Sequence, residues 1–378
     1  MTTVPVLRVI LQWAGILIVG CAPRTVTVPA FVDEEVYFRS DPNEMFGILT
    51  LPAAEGPHPA LVLLHGAGRE GVSSGYYTEH AHRLVKAGYA VLRYDSPGVG
   101  RSLGSSAFES LEYRSQEAIA AVKYLQDRAD IQLEGVGLWG ISQGGWICQM
   151  AAATYDGVAF IIPVSGPGIT PADQEVHRVE MQSRAEGFTN NEVAKAVLMR
   201  RLMVDIVLSE PRYEALNKGE AARLGEGPWD NMVELVYAPV PSVPGIELEK
   251  VKEVLNSIKA ERWARYLYLE QVLPLFDNLP GEHWEAVKAQ MQAIMVVDPA
   301  DYLTKVQCPV LAIFGEADAF LPVSKSVELY RQYLGEAGNS QVEIKVFPNA
   351  SHSIKVEGEF ARGYFETISK WLISLRSR

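Results

Sequence analysis

A serine flanked by glycines stands near the middle of the 378-residue chain, in the pattern Gly140-x-Ser142-x-Gly144. An apolar run precedes the pattern and a predicted helix follows it, so the serine lies where a buried strand turns into a helix. Side chains at the glycine positions would clash in so tight a turn, which points the serine oxygen out of the end of the sheet. The first N–H groups of the helix favour negative charge there. We therefore predict nucleophilic attack by Ser142 on an acyl carbonyl.

A serine hydroxyl is a weak nucleophile without a base, and the chain offers a base and an acid further on. His352 lies on a predicted loop after a β-like run, and Asp318 lies on a predicted loop after the apolar run 310–314. The carboxyl ends of parallel strands share one edge of a sheet, so the three side chains can meet. We predict that His352 takes the serine proton and that Asp318 orients the imidazole ring. Glu316 is a competing acid.

The negative charge that develops on the carbonyl oxygen of a substrate calls for two N–H donors. The segment 65–68, His-Gly-Ala-Gly, follows the apolar run 60–64, and its small residues allow a close approach of the backbone to a substrate. We predict the backbone N–H groups of Ala67 and Gln143 as the two donors. The alternative is that residues 65–68 form only a tight exit from a strand.

Apolar runs that alternate with helical periodicity indicate a parallel sheet whose strands are covered on both faces. The runs are residues 60–64, 90–94, 136–139, 158–164, 310–314 and 342–347. Two β-like runs before them, 36–40 and 45–51, are separated by turn residues and predict a hairpin. Helices are predicted over 113–128 and about 360–375. The fold class predicted is α/β, with a mostly parallel central sheet.

The alternation stops between residues 167 and 300, where only helical periodicity and Pro/Gly breaks occur. We predict an inserted helical cap at 167–300, between two parts of a core at 32–166 and 301–378. Aromatic residues of the cap could line an apolar pocket or pack between cap helices. They are Trp229, Trp263, Tyr266, Tyr268, Phe276 and Trp284.

These motifs resemble those of the α/β-hydrolase superfamily, within it bacterial esterases and peptidase-like members with a cap. The resemblance rests on residues 65–68, 94–102, the turn at Ser142, 315–322 and 351–352. It implies the α/β-hydrolase fold, with helices on both faces of the sheet, and a structural role for the loop 95–102. The region 167–300 carries no matching motif, so the substrate stays open.

The first twenty residues differ in character from the rest. Arg8 precedes an apolar stretch, 9–19, which is too short to cross a bilayer of about 30 Å and therefore predicts a signal peptide at 1–20. Residues 18–21 resemble the lipobox of bacterial lipoprotein precursors, which implies a lipid on Cys21. An ordinary cleaved signal and an uncleaved anchor are the alternatives. Each predicts export, here to the bacterial cell envelope, with membrane contact only through the N-terminal lipid.

Composition narrows the classes of partner. With 48% hydrophobic and 21% charged residues the chain is typical of a globular protein, and a net charge of −12 without a basic run argues against nucleic acid. His80 and His82 are two apart on a predicted helix and face different ways, so they do not form a metal pair. No metal or cofactor is predicted. Cys148 and Cys308 have apolar neighbours and are expected to be buried, with a bridge between them left open.

The most direct interpretation is a serine carboxylesterase that acts on small to medium apolar esters through an acyl-enzyme. A peptidase, a thioesterase or an acyltransferase would use the same three side chains. A binding protein without catalysis is the alternative from another class. The presence of Ser142, Asp318 and His352 together argues against it, because a non-catalytic domain does not need all three.

Overall fold

The computed structural model describes residues 31–68, 70–104, 110–237, 244–278 and 281–376. The predicted signal peptide and Cys21 lie outside these residues. Within them, no helix is both long enough and apolar enough to cross a membrane.

An eight-stranded sheet forms the centre of the molecule. Its strands are β1 Phe31–Ser40, β2 Asn43–Pro52, β3 His58–Leu64, β4 Ala90–Tyr94, β5 Ile131–Ile141, β6 Ile161–Val164, β7 Val310–Gly315 and β8 Val342–Phe347. Their order is β1-β2-β4-β3-β5-β6-β7-β8. The first two form an antiparallel hairpin and β2 is antiparallel to β4, whereas the pairs from β4 to β8 are parallel. The mostly parallel sheet is as predicted.

Helices follow the strands. They are α1 Gly75–Leu84, α2 Leu111–Gln126, α3 Gln143–Thr154, α4 Pro171–Ala185, α5 Asn190–Leu208, α6 Glu214–Leu224, α7 Trp229–Tyr237, α8 Pro244–Ile258, α9 Leu269–Asn278, α10 Gly281–Met295, α11 Pro299–Leu303, α12 Val323–Glu336 and α13 Tyr364–Leu375. Two 3-10 helices, Val85–Ala87 and Arg262–Leu267, and a small hairpin of β9 Lys355–Val356 and β10 Glu359–Phe360 complete the described elements.

The sheet has an apolar core on each face. Alternate residues of β3 show this, since Val62 packs with α2, α3 and α12 whereas Leu61 packs with α1 and α13. Successive side chains of a strand point to opposite faces, so a strand buried on both faces must be apolar throughout. This explains the continuous apolar runs, and it places one helical layer on each side of the sheet.

The helices α4 to α10 are inserted between β6 and β7 and form a third core of their own. Trp229, Trp263 and Leu202 are among its buried side chains. This inserted helical region is called the cap below. Because its core is separate from those of the sheet, the cap contributes to the molecule as a second packed unit.

Several predicted limits differ from the observed ones. The strand predicted at 158–164 begins at Ile161, and the closing helix begins at Tyr364 because Gly363 before it takes a left-handed φ of 86°. Phe360 belongs to the small hairpin instead. Cys148 and Cys308 are free cysteines; burial raises the pKa of both thiols, that of Cys308 to about 12.

Candidate active site

Ser142 lies between β5 and α3 with φ 55° and ψ −119°, a backbone conformation that is rare for a residue with a side chain. The glycines around it are required because a larger side chain would not fit. A Cβ at Gly140 would overlap the carbonyl oxygen of Gly144, and a Cβ at Gly144 would lie 2.5 Å from the carbonyl oxygen of Leu64. Gly145 packs against Gly166 so closely that no side chain fits there. The strain at Ser142 is therefore held by the close contact of α3 with the strand ends.

His352 and Asp318 lie side by side on the loops that follow β8 and β7. The ring Nδ1 of His352 is 2.6 Å from Oδ2 of Asp318, whose side chain is fully buried. The other carboxylate oxygen accepts the backbone N–H of Phe320 at 2.8 Å. A carboxylate only accepts hydrogen bonds, so the proton of the neutral ring is on Nδ1 and Nε2 is left to act as a base.

The two loops are packed as one unit. Ala317 N–H donates to the carbonyl oxygen of Ala350 at 2.9 Å, and a Cβ at Gly315 would overlap the backbone of this neighbouring loop. Glu316, the competing acid, is exposed and accepts the backbone N–H of Asn349 at 3.0 Å. The acid that contacts His352 is therefore Asp318.

Ser142 and His352 line one pocket of about 630 Å³ at the carboxyl edge of the sheet. In the described part of the chain, no hydrogen bond joins the serine hydroxyl to the histidine ring. Such contacts are often longer than a hydrogen bond in enzymes without substrate and shorten when substrate binds. The structure thus brings Ser142 and His352 to one pocket, and Asp318 is buried behind the histidine ring and bonded to it.

The loop after β3 lies beside the serine. A Cβ at Gly66 would be 3.6 Å from Cβ of Ser142, and both Gly66 and Ala67 line the pocket. The N–H of Gly66 already donates to the hydroxyl of Tyr77 at 3.2 Å. Among the described residues, the N–H groups of Ala67 and Gln143 have no protein acceptor. These two predicted donors are therefore available to an oxyanion.

A buried polar network under this loop was missed by the sequence interpretation. Arg114 on α2 contacts the carbonyl oxygens of His65 and Gly66, the ring of His65 and the side chain of Gln143. Burial, and then the charge of Arg114, lower the pKa of His65 to about 3. A signal was present, since Arg114 is four residues before Ala118 and therefore lies on the buried face of its helix.

The cap side of the pocket is formed by α4 and by the end of α10. Ile294 and Met295 supply apolar surface there, and Trp146 and Phe320 of the core line the same pocket. The cap aromatics proposed as lining are elsewhere: Trp229 and Trp263 are in the cap core, and Tyr268 packs on the guanidinium of Arg178. Trp284 faces a separate apolar cavity in the cap, and the side chain of Phe276 is outside the described part.

The pocket wall contains one buried ion pair and one further carboxylate. Arg178 is buried and its Nη2 is 2.7 Å from Oε2 of Glu175. Burial opposes ionisation of Glu175, but the hydrogen bonds and charge of Arg178 outweigh it and lower the pKa of that carboxyl. Glu70 adds a further carboxylate to the lining. Across the described residues, no group of three His, Cys, Asp or Glu side chains could hold a metal ion.

Comparison with known proteins identifies the family of this chain. A family model described as "Alpha/beta hydrolase family" matches residues 61–354. Esterase EstD of Thermotoga maritima is 28% identical over 163 residues, 41% of this chain and 39% of the esterase. Human acyl-coenzyme A thioesterase 1 is 29% identical over 123 residues, 32% of this chain and 26% of the thioesterase. The chain therefore matches well under half the length of these relatives.

Solved structures show the same architecture. A Pyrococcus furiosus esterase superimposes with a TM-score of 0.52 and 14% sequence identity, covering 90% of each chain. The protein named DcsB, solved with a substrate analogue, has a TM-score of 0.52 and 16% identity, covering 92% of this chain and 100% of its own. At such identities the likeness concerns the fold alone.

Proposed function

Because the chain belongs to the alpha/beta hydrolase family, we propose that it is a serine hydrolase that cleaves carboxylic esters. The observation that carries this proposal is the buried Asp318–His352 pair, which shares a pocket with the strained Ser142. A buried carboxylate bonded to a ring nitrogen, with the other nitrogen free beside a serine, is the arrangement that activates a hydroxyl.

The proposed reaction has two halves. In the first, Ser142 Oγ attacks the ester carbonyl while Nε2 of His352 accepts the hydroxyl proton, and the N–H groups of Ala67 and Gln143 bind the oxyanion. The intermediate collapses, the C–O bond breaks, and His352 returns the proton to the leaving alcohol. In the second half, water attacks the acyl-serine with the same base, and the carboxylic acid is released.

The pocket favours small to medium uncharged apolar esters. Its volume lies within the range of about 300–1,000 Å³ usual for small-ligand sites. Apolar surface comes from Trp146, Met295 and Phe320, and the charge of Arg178 is balanced by its carboxylate partner. Burying an uncharged acyl or alcohol group there leaves the Arg178–Glu175 pair intact.

A thioesterase is the second candidate, because one group of matching relatives carries that name. Coenzyme A bears several phosphate charges, which need cationic partners. In the described pocket lining, the guanidinium of Arg178 is already paired with Glu175, and Glu70 would repel an anion. The lack of an unpaired cation in the described lining ranks uncharged esters first. A peptidase or an acyltransferase would use the same side chains.

The test is a fluorophosphonate label followed by substrate panels. Wild type is expected to be labelled and Ser142→Ala is not. The panels are p-nitrophenyl esters of graded chain length, acyl-coenzyme A thioesters and aminoacyl anilides, with an added alcohol to detect acyl transfer. Preference for esters with acid as the main product supports the proposal. An unlabelled wild type would favour the binding protein, and a clear preference for another panel would replace the esterase.

We further propose that the protein is exported and lipid-anchored at Cys21 in the bacterial cell envelope. The lipobox-like residues 18–21 support this, together with the short apolar stretch before them. Expressed in bacteria fed labelled palmitate, wild type should incorporate label and move into the detergent phase, whereas Cys21→Ser should not. A Cys148→Ser variant is the control. Equal behaviour of the Cys21 variant and wild type would refute the anchor.

A further inference from the structure

Arg114 joins the two halves of the candidate oxyanion hole. It is 7% exposed and extends from the first turn of α2. Its Nη2 donates to the carbonyl oxygen of His65 at 2.8 Å, and its Nη1 donates to that of Gly66 at 3.1 Å. Nη1 also donates to Oε1 of Gln143, the first residue of α3. One rigid, planar group therefore holds the loop after β3 and the start of α3 together.

The contact with Gly66 bears directly on the first donor. The carbonyl of Gly66 and the N–H of Ala67 belong to one peptide unit, which is planar and, in its usual trans form, directs the two groups to opposite sides. When the carbonyl oxygen is bound by Arg114 beneath the loop, the N–H of Ala67 points the other way. Since Gly66 and Ala67 line the pocket beside Ser142, we infer that this direction is toward the pocket.

The ring of His65 secures the same loop from the side. Nη2 of Arg114 lies 2.8 Å from its Nδ1, which is also 3.1 Å from the carbonyl oxygen of Gly66. The one proton of Ser96 Oγ is donated to Glu70, so Oγ accepts from the ring, which places the ring proton on Nε2 and leaves Nδ1 to accept from Arg114. Nε2 donates to Oγ of Ser96 at 2.5 Å, and Ser96 donates to the carbonyl oxygen of Glu70 at 3.2 Å. Burial, and then the charge of Arg114, lower the pKa of this ring to about 3, so the ring stays neutral near pH 7.

We propose that Arg114 is a positioning residue for ester hydrolysis: it sets the directions and the separation of the Ala67 and Gln143 N–H groups that bind the oxyanion. This inference rests on the proposed hydrolase function. It places the effect of Arg114 in the transition state, because the two donors are needed most when the carbonyl oxygen becomes negative. Substrate binding, which uses the apolar pocket wall, does not depend on Arg114.

The experiment compares wild type with Arg114→Met and Arg114→Lys on a p-nitrophenyl ester. We expect kcat to fall about 100-fold in Arg114→Met, the cost of losing one oxyanion donor, with KM within about 3-fold. Arg114→Lys keeps the charge, but its ammonium has only three donors for the four acceptors, so it should lose at least about 10-fold. Affinity for an alkyl trifluoromethyl ketone, whose hemiketal mimics the oxyanion, should fall in parallel with kcat, whereas affinity for the product acid should not.

Arg128→Met is the matched control, because Arg128 follows the C-terminal end of the same helix but pairs with Glu34 and Asp130. It should leave kcat unchanged. If Arg114→Met does not fold, the comparison is made with Arg114→Lys alone. Retention of kcat within about 3-fold in the folded variants, or an unchanged ketone affinity, overturns the role of Arg114. A wild type that neither hydrolyses esters nor reacts with fluorophosphonate fails differently, because it overturns the proposed function itself.

Discussion

The carboxyl edge of the sheet and the cap contribute to the pocket in different ways. At the sheet edge, Ser142, Asp318 and His352 each follow directly on a strand end and are held by strained backbone or buried hydrogen bonds. The cap has a core of its own and reaches the pocket only through α4 and the end of α10 among the described elements. The sheet thus fixes the reacting groups, and the cap supplies a wall whose side chains can change without disturbing them.

This comparison predicts the largest loss for Ser142→Ala. Without the nucleophile, kcat should fall by about 10⁴- to 10⁶-fold and labelling by fluorophosphonate should disappear. The matched control is Ser209→Ala in the cap, since Ser209 has the same φ of 55°. Full activity in the Ser142 variant would show that another nucleophile operates, and loss in the control would show that the cap shares the chemistry.

Asp318→Asn should give the next largest effect. An amide in place of the carboxylate no longer stabilises the protonated ring and favours the wrong tautomer, so kcat should fall about 10⁴-fold. Steady-state kinetics on one ester measures this. Glu316→Gln, two residues away and exposed, should retain activity. An equal loss in both variants would mean that the loop as a whole, not the Asp318–His352 contact, is required.

Met295→Ala tests the wall supplied by the cap. Met295 lines both the pocket and the apolar cavity inside the cap, so removing its side chain should connect the two spaces. We expect the ratio of kcat/KM for long over short acyl chains to rise about 30-fold, as for other changes of a few methylenes in a pocket. Met203→Ala, which lines only the cavity, should leave the ratio unchanged. A fall in kcat for every ester would contradict the separation of roles.

Acid should lower the stability of the folded protein through His80, which packs on the sheet. Burial lowers the pKa of this ring to about 3. An unfolded histidine binds its proton near pH 6.5, so stability is fully present above pH 6.5 and is lost as pH falls toward 3. Between pH 7.5 and 5.5 this one group should cost about 1.4 kcal/mol of unfolding free energy, measured by urea titration.

In the His80→Phe variant, the loss of unfolding free energy between pH 7.5 and 5.5 should be smaller by this amount. Phenylalanine keeps the ring contacts of His80 with Trp139, Phe360 and Phe365. It loses the hydrogen bonds of the ring to Tyr76 and Tyr364, which lowers stability by the same amount at both pH values. A control at the partly exposed His82 should keep the full dependence. If wild type and His80→Phe lose equal stability on acidification, the ring of His80 does not stay neutral in the folded protein.

Several features of the fold could be predicted because they depend on neighbours in sequence. The apolar runs predicted the parallel strands, since burial on both faces leaves no polar position. The ends of elements were less accessible: the closing helix starts only after Gly363, and Phe360 pairs in a hairpin that no local pattern indicates. The cap aromatics were uncertain for the same reason, because an aromatic residue is equally suited to a core or a pocket.

The sequence by itself indicated the turn at Ser142, because Gly140 and Gly144 lie within one five-residue pattern and Gly140 is restricted by Gly144 itself. The contact that excludes a side chain at Gly144 is with Leu64 of β3, which only the fold supplies. The sequence also determined which loops follow strand ends. Only the tertiary structure selected Asp318 over Glu316 and brought Arg114 from α2 to the loop after β3. These contacts join segments dozens of residues apart, and they depend on side-chain direction and packing, which no spacing along the chain encodes.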